Sequence, residues 1–234
     1  MGIRYIKEIK SAREIDVLIP AAGLGRRMKS YGPKPLIEIG NTNILQHQLS
    51  ILKRCEHISI KNTILVCGFE ANKLMNNSPE DIIKIENENY MTTNVVRSIG
   101  MGLRATTQEV LIIYGDLIFN VACIDAINLN RSCLVVGDTM TDEEVGCIVN
   151  KRDYVENLMY DLPTKWCQIA FFAGKELKLL KKHCWNSLHF NFLGFEIINK
   201  IIEDGGKFKA CTNNNVKAID IDTFKDLDRV RTIQ

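Results

Sequence analysis

The sequence predicts an α/β fold with a mostly parallel central sheet covered by helices. Short apolar runs, bounded by Gly, Pro or Asp, alternate with stretches whose apolar residues recur at helical spacing. Three of those runs end in glycine junctions: residues 16–20 before Ala21-Ala22-Gly23-Leu24-Gly25, 110–114 before Gly115-Asp116, and 132–136 before Gly137-Asp138. Strands that feed helices through such bends build parallel sheets, because each parallel pairing needs a long covered crossover.

In order, residues 16–20 read as the first buried strand. Ile44, Leu45, Gln48, Leu49 and Leu52 then mark one face of a helix. Residues 63–67 form a second strand stopped by Gly68, and 81–86 a third. Residues 94–105 read as a helix weakened by Gly100 and Gly102. Strands follow at 110–114 and 132–136. The pattern over 144–160 is choppier and implies antiparallel strands. Residues 167–172 are a strand, 175–183 a helix, 192–203 a helix ended by Gly205-Gly206, 217–221 the last strand and 224–230 the closing helix. Without repeats or a linker, residues 1–234 read as a single compact unit.

Composition narrows the function classes. A net charge of +2 with no long Lys/Arg run gives no support for nucleic acid as the partner. The first fifteen residues mix Lys, Arg and Glu and lack the apolar stretch of a signal peptide. Ile6 stands where a myristoylation signal carries Ser or Thr, and no run approaches a membrane span. A cytoplasmic protein without a membrane partner is the expectation. The 8 cysteines are scattered with no CxxC pair, and Cys67 and Cys133 sit inside apolar runs, so they read as small buried hydrophobes. His183-Cys184 alone makes no zinc site.

The chemistry concentrates in Leu18-Ile19-Pro20-Ala21-Ala22-Gly23-Leu24-Gly25-Arg26-Arg27-Met28, followed by Gly32-Pro33-Lys34-Pro35-Leu36. Small residues at the end of a buried strand let backbone N–H groups approach an anion, two arginines follow, and two prolines restrict the loop that presents Lys34. A triphosphate calls for that density of donors and cations. Gly23-Leu24-Gly25 begins like a dinucleotide GxGxxG, but Met28 occupies its third glycine position. No GKS or GKT follows, which excludes a Walker-type loop.

These segments resemble the LxAAGxGxRM and PKPL signature of nucleotidyltransferases related to sugar-1-phosphate, phosphocholine and molybdopterin-guanine nucleotide synthesis. Pro20 and Arg26 are local departures, and the resemblance runs from Asp16 nearly to the C-terminus. It implies a Rossmann-like three-layer sandwich with a small antiparallel acceptor-side lobe. An NTP-binding half over about 16–120 would precede an acceptor-binding half over about 121–234. By resemblance, Ala21, Ala22, Gly23, Leu24, Gly25, Arg26 and Arg27 wrap the NTP phosphates, Arg27 at the β- and γ-phosphates, while Lys34 reaches towards the α-phosphate.

Asp116, at the carboxyl end of a buried strand, and Asp222, in Ile221-Asp222-Thr223, match the family's Mg²⁺ ligands, with Asp220 in reserve. Asn94 to Ile99 resembles the N-x-x-x-S-L segment of the phosphocholine and phosphonate branch, which implies nucleotide contacts from Asn94 and Ser98; Asn94 also suits a helix cap. Gly68 resembles a turn beside the base. Lys165 stands where many relatives carry a second, catalytic phosphate-binding lysine, although the sugar-type EKP is absent. Trp166 suits either the acceptor or the core.

The implied reaction is Mg²⁺-dependent transfer of a nucleoside monophosphate from an NTP, CTP by preference, to a small phosphorylated or phosphonate acceptor, releasing pyrophosphate. Such an acceptor is already anionic and needs no general base. A sugar-1-phosphate acceptor and a catalytically inactive nucleotide-binding module remain as alternatives. A homodimer is compatible with the sequence, which leaves the oligomeric state open.

Overall fold

The computed structural model describes residues 13–25, 28, 31–137 and 144–230. Arg26 and Arg27, both expected at the phosphates, lie outside the described residues. In chain order the strands are β1 (Arg13–Ala21), β2 (Glu38–Ile39), β3 (Thr42–Asn43), β4 (Ile58–Cys67), β5 (Ile83–Glu86), β6 (Val110–Ile113), β7 (Leu117–Phe119), β8 (Cys133–Gly137), β9 (Val145–Val149), β10 (Tyr154–Tyr160), β11 (Thr164–Phe172), β12 (Phe208–Cys211) and β13 (Ala218–Asp220). The helices are α1 (Ile44–Arg54), α2 (Ala71–Asn76), α3 (Val95–Gly102), α4 (Val121–Asp125), α5 (Gly174–Cys184), α6 (Gly194–Glu203) and α7 (Phe224–Arg229).

A nine-stranded sheet runs β5-β4-β1-β6-β11-β8-β12-β10-β9. Its first four strands are parallel, as the sequence predicts. Beyond them the expectation of a mostly parallel sheet needs correction. β11 is antiparallel to both β6 and β8, β8 and β12 are parallel, and β10 is antiparallel to β12 and β9. The sheet is therefore mixed. Strands buried on both faces are apolar throughout in either orientation, so their residues carry no sign of direction.

β9 and β10 are antiparallel, as the broken 144–160 pattern implies, but they belong to the main sheet rather than to a separate lobe. β9 also pairs with β11, which closes the last five strands on themselves. The link from β10 to β11 crosses over Gly146, where a Cβ would stand 2.2 Å from the Leu162 carbonyl oxygen. Only glycine allows that crossing.

Alternation along β1 sends Ile15, Val17 and Ile19 to one face, against Leu45, Ile51 and Leu52 of α1. Leu18 joins Ile64 and Val66 on the other face, with Val96 and Ile99 of α3, Leu180 of α5 and Ile197 and Ile201 of α6. Helices thus cover both faces in three layers. Each of these wholly buried side chains contributes about 1.5–3 kcal/mol. α1 begins sharply because Asn43 and Gln46 form a capping box. All eight cysteines are buried and free, which fits their reading as core residues.

A separate two-stranded ribbon pairs β13 with β7, Asp220 opposite Leu117. It rests on a small cluster of Met28, Ile37, Ile39, Ile118, Ile219 and Ile221. No helix among the described residues is long and apolar enough to cross a membrane.

Candidate active site

A cleft of about 300 Å³ opens at the carboxyl ends of β1 and β6. Parallel strands place such crevices beyond those ends, where the chain leaves the sheet. Ala21, Ala22, Gly23 and Gly25 form one rim. Gly25 has φ +51°, a left-handed conformation that glycine adopts without strain, and a Cβ there would come within 3.3 Å of the Lys34 side chain. Gly68 lets the neighbouring strand end approach: Phe69 donates its N–H to the Ala22 carbonyl at 3.2 Å, and a Cβ at Gly68 would stand 2.6 Å from that oxygen.

Lys34 opens a short 3-10 turn through Leu36, with Pro33 and Pro35 on either side. Its ammonium donates to Asp116 Oδ2 at 2.9 Å and to Asp222 Oδ1 at 2.5 Å. Burial works to lower the Lys34 pKa, but the two carboxylates outweigh it and raise the pKa above the ordinary lysine value. Lys34 is therefore a fixed cation.

Backbone bonds bring the two aspartates together. Ile221 donates its N–H to the Asp116 carbonyl at 3.0 Å. Gln48, buried in α1, donates to the carbonyls of Tyr114 and Leu117 at 2.8 and 2.7 Å and so braces both sides of the Gly115-Asp116 bend. Asp226 accepts from the backbone of Asp222 and Thr223, which anchors the segment entering α7.

Two carboxylates converging on one ammonium form a cradle that also suits a metal cation, with the Lys34 nitrogen standing where positive charge is wanted. Among the described residues no group of three His, Cys, Asp or Glu side chains forms a complete ligand set. An ion held there would draw its remaining ligands from a bound anion and water, a mode Mg²⁺ commonly adopts.

Asp220 also lines the cleft. Burial pushes its carboxyl up to about 6, against the pull of Lys165 and reinforced by Asp116, Asp222 and Glu144. Lys165 departs from expectation. Its side chain is 4% exposed, its ammonium pairs with Glu144 and donates to the Ala218 carbonyl at 3.0 Å, and it does not line the cleft. Alternation along β11 explains this: Trp166 and Gln168 face the cleft, whereas Lys165 and Cys167 take the other side.

The far walls are of two kinds. On the β5–α3 side, buried Asn87 donates to Ser98 Oγ at 3.1 Å and to Thr93 Oγ1 at 3.2 Å, and all three residues line the cleft with Asn94. Asn94 also caps α3, its side chain accepting from Val95 N–H at 2.8 Å, as the cap reading of that residue expects. On the β11–α6 side, Tyr114, Tyr160, Trp166 and Phe195 form an aromatic wall. Tyr114 and Trp166 meet edge to face at 5.8 Å. The Tyr114 hydroxyl and Trp166 Nε1 are buried without a hydrogen-bond partner. Burial pushes the Tyr114 phenol up, so it stays protonated.

Of the residues singled out from sequence, Ala21, Ala22, Gly23, Gly25, Lys34, Asn94, Ser98, Asp116 and Asp222 line one cleft, whereas Leu24, Gly68 and Lys165 do not. Gln48, Asn87 and Tyr114 escape sequence reasoning. A glutamine at an otherwise apolar helix position was the one available signal.

Fold and cleft together define a protein of the nucleotidyltransferase class. The MobA-like NTP transferase domain matches residues 17–139, and the chain belongs to that family. It is 31% identical over 109 residues to 2-C-methyl-D-erythritol 4-phosphate cytidylyltransferase from Neisseria meningitidis serogroup C, covering 43% of this chain and 46% of that protein. It is 29% identical over 104 residues to the bifunctional protein GlmU from Psychrobacter sp., covering 44% of this chain and 22% of that protein. The matches thus span less than half the length of these curated relatives.

Among solved structures, the CTP:phosphocholine cytidylyltransferase of Streptococcus pneumoniae superposes with TM-score 0.74 at 16% identity, over 94% of this chain and 99% of that one. The inositol-1-phosphate CTP transferase of T. maritima gives 0.77 at 15%, over 95% and 97%. At such identities the likeness establishes a shared fold.

Proposed function

We propose that this protein transfers a nucleoside monophosphate from an NTP, CTP by preference, to a small phosphorylated or phosphonate acceptor, with release of pyrophosphate. The observation that carries the reading is the convergence of Lys34, Asp116 and Asp222 beside the Gly23–Gly25 rim. In this reading the half over about 16–120 binds the NTP, and the half over about 121–234 supplies most of the acceptor wall.

The loop amides and Lys34 hold the triphosphate, and Asn94 and Ser98 lie on the nucleoside side. An acceptor oxygen attacks the α-phosphorus in line with the departing pyrophosphate. The acceptor is already anionic, so the chain must hold two anions together rather than remove a proton. Asp116 and Asp222 would hold Mg²⁺, which supplies charge neutralisation to the phosphoryl oxygens when bound. Arg27, outside the described residues, is assigned to the β- and γ-phosphates by the family resemblance alone.

The aromatic wall of Tyr114, Tyr160, Trp166 and Phe195 favours an acceptor with a compact organic group over a polyhydroxylated sugar, which needs many hydrogen-bond partners. The test is a panel of NTPs assayed for pyrophosphate release with phosphocholine, aminoethylphosphonate and sugar phosphates. Turnover of CTP with one of the first two is expected. Turnover confined to sugar phosphates would replace the acceptor assignment, and Mg²⁺-dependent NTP binding without turnover of any acceptor would overturn the reaction.

A further inference from the structure

We infer that Lys165 is a positioning residue, which clamps β13 to the main sheet and so sets Asp220 and Asp222 against Asp116 and Lys34; this rests on the proposed reaction. The β13–β7 ribbon is not hydrogen-bonded into the nine-stranded sheet. Yet it carries Asp220 and leads directly into Asp222. From β11, within the main sheet, the Lys165 ammonium reaches across to the ribbon and donates to the Ala218 carbonyl at 3.0 Å. It pairs with Glu144 and lies 3.9 Å from Asp220 Oδ1.

An ammonium has three donors, and here it faces two carboxylates and one carbonyl. Residues 137 and 146, which flank Lys165 on the neighbouring strands, are both glycine, so no side chain stands beside it from those positions. Lys165 therefore has a complete set of partners without any phosphate. Its bond to Ala218 fixes the ribbon two residues before Asp220 and four before Asp222. The Ile221–Asp116 backbone bond joins the ribbon's other end to the β6 bend. With one end tied to β11 and the other to the bend, the two aspartates have little freedom.

A displacement of about 1 Å at such a site costs roughly a hundredfold in rate. Removing Lys165 alone would take the ammonium away from buried Glu144, so the informative variant is the double replacement Lys165→Met with Glu144→Met, beside Lys165→Met and the conservative Lys165→Arg. A folded double variant should show turnover reduced at least about tenfold, with KM for NTP and acceptor within about twofold of the parent. Calorimetric titration with a non-hydrolysable NTP supplies a readout independent of turnover. The gain in NTP affinity caused by Mg²⁺ should shrink at least about tenfold, while metal-free NTP affinity stays unchanged.

A tenfold rise in either KM with turnover preserved would make Lys165 a phosphate ligand and overturn the inference. Unchanged turnover and unchanged Mg²⁺ response would reduce Lys165 to a core ion pair and overturn it equally. If the parent protein releases no pyrophosphate, the proposed reaction fails, and the calorimetric comparison still decides the role of Lys165.

Discussion

Ile221 gives its backbone N–H to the carbonyl of Asp116 at 3.0 Å, and this contact joins two segments far apart in the chain at one point in the cleft. Asp222 follows Ile221 directly, so its carboxylate arrives beside that of Asp116 on the Lys34 ammonium. The contact is between main-chain atoms, so substituting either aspartate leaves it intact.

Replacing Lys34 with Ala removes the ammonium that stands between Asp116 and Asp222. Turnover should fall at least about a hundredfold, the usual cost of losing preorganised charge. The metal-free variant should also lose on the order of 1–3 kcal/mol, less than for a fully buried pair because the Asp222 side chain is 48% exposed. Mg²⁺ should restore much of that stability without restoring turnover. Urea melts with and without Mg²⁺, beside a pyrophosphate assay, check both parts; a variant that keeps near-normal turnover would remove Lys34 from the mechanism.

Asp220 makes stability depend on pH. Its folded carboxyl is raised from 3.8 to about 6, so folding favours the protonated form. That contribution is fully present below about pH 4 and is lost as pH rises through about 6. Asp220→Asn should therefore stabilise the metal-free protein at pH 8, on the order of 1–3 kcal/mol, and give little benefit near pH 4. Equal effects at both pH values in denaturant melts would contradict the assignment.

Tyr114→Phe separates recognition from stability. Its hydroxyl is buried without a partner, so deletion should leave stability unchanged or raise it by up to about 1 kcal/mol. If that wall receives the acceptor, KM for the acceptor should rise severalfold while KM for NTP holds. Trp166→Phe removes the second unpartnered donor and should act in the same direction on KM. Steady-state kinetics with each substrate varied in turn decides the matter.

Gln48→Leu tests the brace behind the Asp116 bend. The carbonyls of Tyr114 and Leu117 would each lose a donor, at a cost of about 1–3 kcal/mol. Turnover should fall as well, because the bend carries a proposed metal ligand. A stability loss with unchanged turnover would show that the bend keeps its shape unaided.

Much of this molecule is written in local chemistry along the chain. The apolar runs locate β1, β4, β6 and β8, the glycines locate the bends, and the prolines around Lys34 mark a constrained loop. Each of those features acts through neighbours in sequence, so a reader of the sequence alone can recover it. The partners at a distance are another matter. Strand direction in β11, the sheet's closure through β9 and the bracing by Gln48 depend on packing between segments that no local pattern pairs.

Lys165 shows the limit most sharply. Its place in the sequence suggested a phosphate ligand, but strand parity turned it into the interior, where Glu144 and the Ala218 carbonyl claim its charge. Side chains on a strand alternate with a period of two, so a shift of one position exchanges the cleft for the core. Which face becomes the cleft is set by the assembled sheet.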